Sequence, residues 1–238
     1  MKDIHDLLVV QVRLFPVDTI PIDVLASPSG RQALRSEFGF QEASLDLPVV
    51  IGSTGESFFA LQNGEFQDSA ERIVVRSLDI HPRRMVCRVA GTSKQADKFF
   101  SRLTDVIREV RPDSTVAPSS VIYKAEDTSC VATLNIDFAQ IFRRSVSSFV
   151  HRRLAKVATE PKIQASAYPF KFAARITYDV RDPNVKGHGI MVSPKEFVIE
   201  PRMNTPLEDR IFFTKSPFPS DKHFQLVEEF EGLFASST

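Results

Sequence analysis

Lys186-Gly187-His188-Gly189 places a histidine between two glycines. Backbone of that kind can approach a ligand closely, and an imidazole can exchange a proton near neutral pH. Catalysis or metal binding there would need an orienting carboxylate or a second ligand. Neither is supplied locally, so the stretch is expected to be a solvated hairpin tip. Gly52-Ser53-Thr54-Gly55 follows an apolar strand and invites a phosphate-cradle reading. A P-loop requires wider glycine spacing, a Lys-Ser/Thr pair and an immediate helix. Here there is no lysine and the next residues read as strand, so a hairpin turn is expected.

The acidic pairs Glu126-Asp127, Glu208-Asp209 and Glu228-Glu229 make no acid–base couple by themselves, because neighbours on a strand point to opposite faces. All three are read as solvated charge. The isolated His223, in the first turn of the last helix, is read as facing solvent. Cys87 and Cys130 lie far apart in strand-like runs, without the clustered Cys and His that zinc needs. Buried, inert thiols are expected. No Gly-x-Ser-x-Gly elbow occurs. No catalytic residue, metal ligand or cofactor is therefore assigned, and the balance leans against an enzyme.

Charge distribution says more. Between Phe138 and Arg175 stand Arg143, Arg144, Arg152, Arg153, Lys156, Lys162, Lys171 and Arg175, against the single acid Glu160. A helix over Phe138–Ala158 would put Phe138, Phe142, Val146, Phe149, Val150 and Val157 on one stripe, with Arg143, Arg144, His151 and Arg152 on a basic face. Arg153 falls toward the apolar side, where it would snorkel or pair with an acid of the last helix. Arg143, Arg144, His151, Arg152, Lys156 and Arg175 are the candidate binding residues, for an acidic partner or for phosphate. The leading expectation is a non-catalytic binding and assembly module that self-associates or joins a protein complex. One alternative is nucleic-acid binding through the basic region. Another is an apolar small molecule held in a phenylalanine-lined pocket.

The elements that must position these residues follow from periodicity. The chain has 238 residues, 30 basic and 30 acidic, and 42% hydrophobic content. That composition excludes a disordered tail, a collagen, a disulfide scaffold and a uniformly basic nucleic-acid coat. Leu7–Phe15 is interrupted by Gln11 and Arg13 and reads as a strand rather than a signal peptide. A cytoplasmic location without membrane contact is expected. Ser27-Pro28 should open a helix that Gly39 ends. Thr92 and Gln95 should box the start of a helix striped by Ala96, Phe99, Phe100, Leu103, Val106, Ile107 and Val110. Asn63-Gly64 signals a turn. Residues 170–181 alternate as a half-solvated strand, and Val121–Asp137 reads as a long strand bent near Glu126.

Strand runs bracketed by helices predict an α+β fold, with antiparallel sheets and helices packed on one face. Two halves, 1–112 and 121–238, flank a linker or crossing loop at 113–120, and each runs strand, helix, strands, helix. A shift of 127 positions lays Phe99, Phe100, Leu103, Val106 and Ile107 on Leu226, Val227, Phe230, Leu233 and Phe234, and Ser93 on Ser220. Duplication, shared architecture without descent, and the coincidence of two amphipathic helices all account for that match.

Overall fold

Strand alternation dictates the first element, Ile4–Leu14 (β1), which turns Val9, Gln11 and Arg13 inward. The structure, a computed structural model, describes residues 3–41, 50–51, 57–68, 71–142, 144–154, 156, 167, 169–179, 181–187 and 192–235. Ile22–Ala26 (α1) leads into Pro28–Phe38 (α2). Ser27 Oγ accepts from the Gly30 amide at 3.2 Å, and Gly39 closes α2 in the left-handed conformation at φ 59°. Val50–Ile51 (β2), Ser57–Asp68 (β3), Glu71–Ile80 (β4) and Arg84–Ala90 (β5) come next. Ser93–Val110 (α3) then begins with the expected capping box: Gln95 N donates to Thr92 Oγ1 and Thr92 N donates to Gln95 Oε1.

The second half runs Tyr123–Thr133 (β6), Arg144–Ser148 (α4), Phe172–Ile176 (β7), Pro183–Gly187 (α5), Lys195–Pro201 (β8), Ile211–Ser216 (β9) and Ser220–Ala235 (α6). The fold is α+β. One antiparallel sheet has the order β3-β4-β5-β1-β6-β9-β8-β7, with the two-residue β2 added outside β3. The long helices α2, α3 and α6 pack on one face. On the other, Val10, Val12, Val86 and Val131 remain half-buried.

Each half has the same connectivity, and the halves meet about a twofold relation. β1 and β6 are both 11 residues long, and their central residues, Val9 and Thr128, pair with each other. Val9 also pairs with Val89 of β5, and Thr128 pairs with Ser216 of β9. Val89 and Ser216 are therefore equivalent, and they stand 127 residues apart. Ser93 and Ser220 have the same separation and cap each other's helices. Ser93 N donates to Ser220 Oγ at 3.0 Å, and Ser220 N donates to Ser93 Oγ at 2.8 Å. Strand register and helix capping thus give one equivalence.

Two cores lie under the helices. The first gathers Leu34, Phe38, Val75, Leu78, Phe99, Leu103 and Ile107; the second gathers Ile136, Phe138, Ile199, Phe212 and Val227 with Phe224 and Phe230 against them. Each fully buried side chain of this size contributes about 1.5–3 kcal/mol.

Several local expectations give way. Asn63-Gly64 is not a turn: β3 runs through it, with Gln62 opposite Ser77 and Gly64 opposite Val75. Asn63 takes φ 54°, and a Cβ on Gly64 would lie 2.4 Å from the Phe40 ring. The glycine is there because that ring occupies its side-chain space. Gly64→Ala should cost about 1–3 kcal/mol by overpacking, seen as a lower urea midpoint with an unchanged slope. β6, in turn, pairs with β1 without a register break across Glu126 and Asp127.

The third is the helix expected over Phe138–Ala158. A 3₁₀ turn at Phe138–Ile141 precedes α4, and a π-helical stretch, Phe149–Leu154, follows it. Ser145, Val146, Ser147, Ser148, Phe149 and Val150 explain the irregularity: serines compete for backbone hydrogen bonds, and branched or aromatic side chains lose rotamer freedom in a helix. The alternation over 170–181 likewise yields a strand only at Phe172–Ile176, where β8 pairs with it. Lys186 and Gly187, expected at a hairpin tip, close the helix α5 instead, while residues 52–56 and 188–191 lie outside the described residues.

Candidate functional site

The basic segment is built by what does not pack. Phe138 is buried and Phe142 packs against the second core, which anchors the segment beneath α6. Beyond that anchor Val146, Phe149 and Leu154 are 46%, 59% and 48% exposed. Arg144, His151, Arg152, Arg153 and Lys156 are exposed as well; Arg143 lies outside the described residues. Val150 is half-buried, but three large apolar side chains of 144–154 face solvent along with the basic ones. Arg175 does not join them. On β7 it sits three residues beyond Phe172, which packs with the helices, so alternation sends it to the open face of the sheet.

A second constellation, absent from the sequence reading, lies at the junction of the halves. Register sets Gln11 opposite Glu126 and Arg13 opposite Lys124. Two cations side by side on neighbouring strands repel. Asp97 of α3 sits between them, accepting from Arg13 Nη2 at 2.7 Å and Lys124 Nζ at 2.6 Å. Gln11 Nε2 donates to Asp97 at 2.8 Å and to Glu126 Oε1 at 2.6 Å, and Arg13 lies over the Phe100 ring at 4.3 Å. Burial by itself would raise the Asp97 carboxyl, but hydrogen bonds from Lys124 and Gln11 and the nearby cations hold it below the usual range. Glu126, read as solvated, is buried instead, and its Oε2 has no hydrogen-bond partner among the described residues. A cleft of about 410 Å³ above this seam is lined by Lys94, Lys124, Lys222, Asp97, Glu126 and Asp221 among others. Its charges balance within the chain, so the seam neutralises itself. The only sequence signal was a polar Gln-x-Arg and Lys-x-Glu on inward positions of two strands, legible only once those strands are known to be neighbours.

His223 also departs from its reading. It is fully buried, with Nε2 3.0 Å from Thr214 Oγ1 and Nδ1 2.8 Å from Ser216 Oγ. Burial lowers its pKa to about 4, so the ring is neutral at pH 7. Cys87 and Cys130 are buried, and burial raises their pKa to about 12 and about 11. Both are poor thiolates at neutral pH. The core phenylalanines pack ring on ring: Phe38 and Phe99 centroids lie 5.0 Å apart, as do those of Phe172 and Phe230.

Among the described residues no three His, Cys, Asp or Glu side chains cluster as metal ligands, and no helix is long and apolar enough to cross a membrane. Comparison with protein-family models and with curated proteins finds no match to this chain.

Proposed function

We propose that this protein is a non-catalytic binding and assembly module that self-associates. The observation that carries this reading is the 144–154 segment, which turns Val146, Phe149 and Leu154 to solvent beside Arg144, Arg152 and Arg153. Three large apolar side chains exposed together on one segment make a patch of the kind that marks an interaction site, and an interface uses apolar anchors with a charged rim. The acidic, exposed Glu228 and Glu229 offer charge of the opposite sign. Light scattering over a dilution series tests it, at about 0.1 M and about 1 M salt, where the screening length falls from about 10 Å to about 3 Å. A mass above the 26.7 kDa of one chain, falling with salt, is the expected result. A mass of one chain at every concentration overturns the reading.

One observation favours nucleic acid as a second reading: Phe149, 59% exposed and three residues from Arg152, could stack on a base while the arginines hold phosphates. It requires binding to single-stranded oligonucleotides that weakens steeply with salt and is lost in Arg144→Ala/Arg152→Ala. Absent or salt-insensitive binding rejects it.

A further inference from the structure

The chain builds one arrangement twice, and the second instance lacks a cover that the first has. On α3, Phe99 and Val106 are buried. α2 lies across them: Phe38 stacks edge-on against Phe99, and Glu37 accepts from Arg102 at 2.5 Å. The equivalents on α6, at the separation that Ser93 and Ser220 define, are Leu226 and Leu233, which are 36% and 71% exposed. The element that follows β6 as α2 follows β1 is the 144–154 segment, whose own apolar residues are also in solvent. The sign of the Arg102–Glu37 pair that joins α2 to α3 is reversed as well. The counterpart of Arg102 is Glu229, and the segment is basic where α2 presents Glu37.

We propose that a second copy of this chain supplies the missing cover. Segment 144–154 of each protomer lies along α6 of the other, with Val146, Phe149 and Leu154 against Leu226 and Leu233, and Arg152 and Arg153 facing Glu228 and Glu229. This rests on the self-association reading and names its contact. Packing α6 on α6 would set Glu228 and Glu229 against their own copies, and packing segment on segment would do the same with the arginines. Only the reciprocal contact pairs opposite signs on both sides, and its twofold symmetry closes the assembly at a dimer.

Charge exchange tests it. Glu228→Lys/Glu229→Lys and Arg152→Glu/Arg153→Glu are each expected to be monomeric by light scattering at low salt, since each sets like charges together. An equimolar mixture is expected to form a dimer, because every segment then meets an α6 of opposite sign. The four substitutions in one chain should also dimerise, and circular dichroism checks that each variant is folded. If either double variant dimerises like wild type, or the mixture stays monomeric while wild type dimerises, the contact is wrong although self-association stands. If wild type is itself a monomer, both readings fall.

Discussion

Asp97→Ala is expected to lower stability by about 3 kcal/mol. Asp97 is the carboxylate between Arg13 and Lys124, which stand directly opposite each other on β1 and β6. Without it the Arg13 guanidinium, 10% exposed, keeps Gln11 Oε1 and the Phe100 face as its partners among the described residues, with a second cation beside it. Breaking a buried pair by removing one partner costs about 3–5 kcal/mol. The lower end applies because Asp97 is itself about half exposed to screening solvent. Asp97→Asn keeps an oxygen acceptor and should lose less, so the difference between the two variants measures the charge. Urea denaturation at pH 7 reads both. An Asp97→Ala variant as stable as wild type would show that the seam does not bind α3 to the strands. Asp97 is held below the ordinary carboxylate range, so its contribution is complete at neutral pH and is lost as pH falls below that range.

His223 gives a second large effect, in a different pH window. Unfolded, the imidazole binds a proton with a pKa of about 6.5; folded, between Thr214 and Ser216, it does so only near 4. Between those values the unfolded chain carries the extra proton, so stability rises with pH across the window. Wild type should therefore be fully stabilised above about pH 7 and lose about 3 kcal/mol on going to pH 4, at about 1.4 kcal/mol per pKa unit. His223→Gln can still reach both hydroxyls but does not titrate, so its stability should fall less than that of wild type from about pH 7 to about pH 4.5, and the difference between the two is the histidine's share. The carboxylates, whose ordinary pKa values are about 4, begin to titrate within this range, but they do so in both proteins and cancel in the difference between them. Equal pH slopes for wild type and His223→Gln between pH 5 and 7 would refute the assignment.

Sequence and structure divide along a physical line. Whatever depends on a few neighbouring residues was legible: the Ser27 cap and Gly39 stop of α2, the Thr92/Gln95 box of α3, the inward alternation of β1, and the α+β class. Periodicity and capping are local, so composition along the chain carries them. Asn63-Gly64 shows the limit of that logic. A strong turn signal sits inside β3 because the ring of Phe40, twenty-four residues before Gly64, needs the space a side chain would take. The segment after β6 shows it too, since an apolar stripe at helical spacing does not state what it will pack against.

The pairing of β1 with β6 decided the rest. It put Gln11 beside Glu126 and Arg13 beside Lys124, turned residues read as surface charge into a buried seam, and joined α3 to α6 through Ser93 and Ser220. Folding β9 against α6 enclosed His223. Contacts between residues a hundred positions apart leave no mark in the spacing of either partner, because each strand alternates the same way whichever neighbour it finds. The sequence by itself determined which residues turn inward. Only the tertiary structure decided what they meet there, and that Leu233, Val146, Phe149 and Leu154 stay largely in solvent.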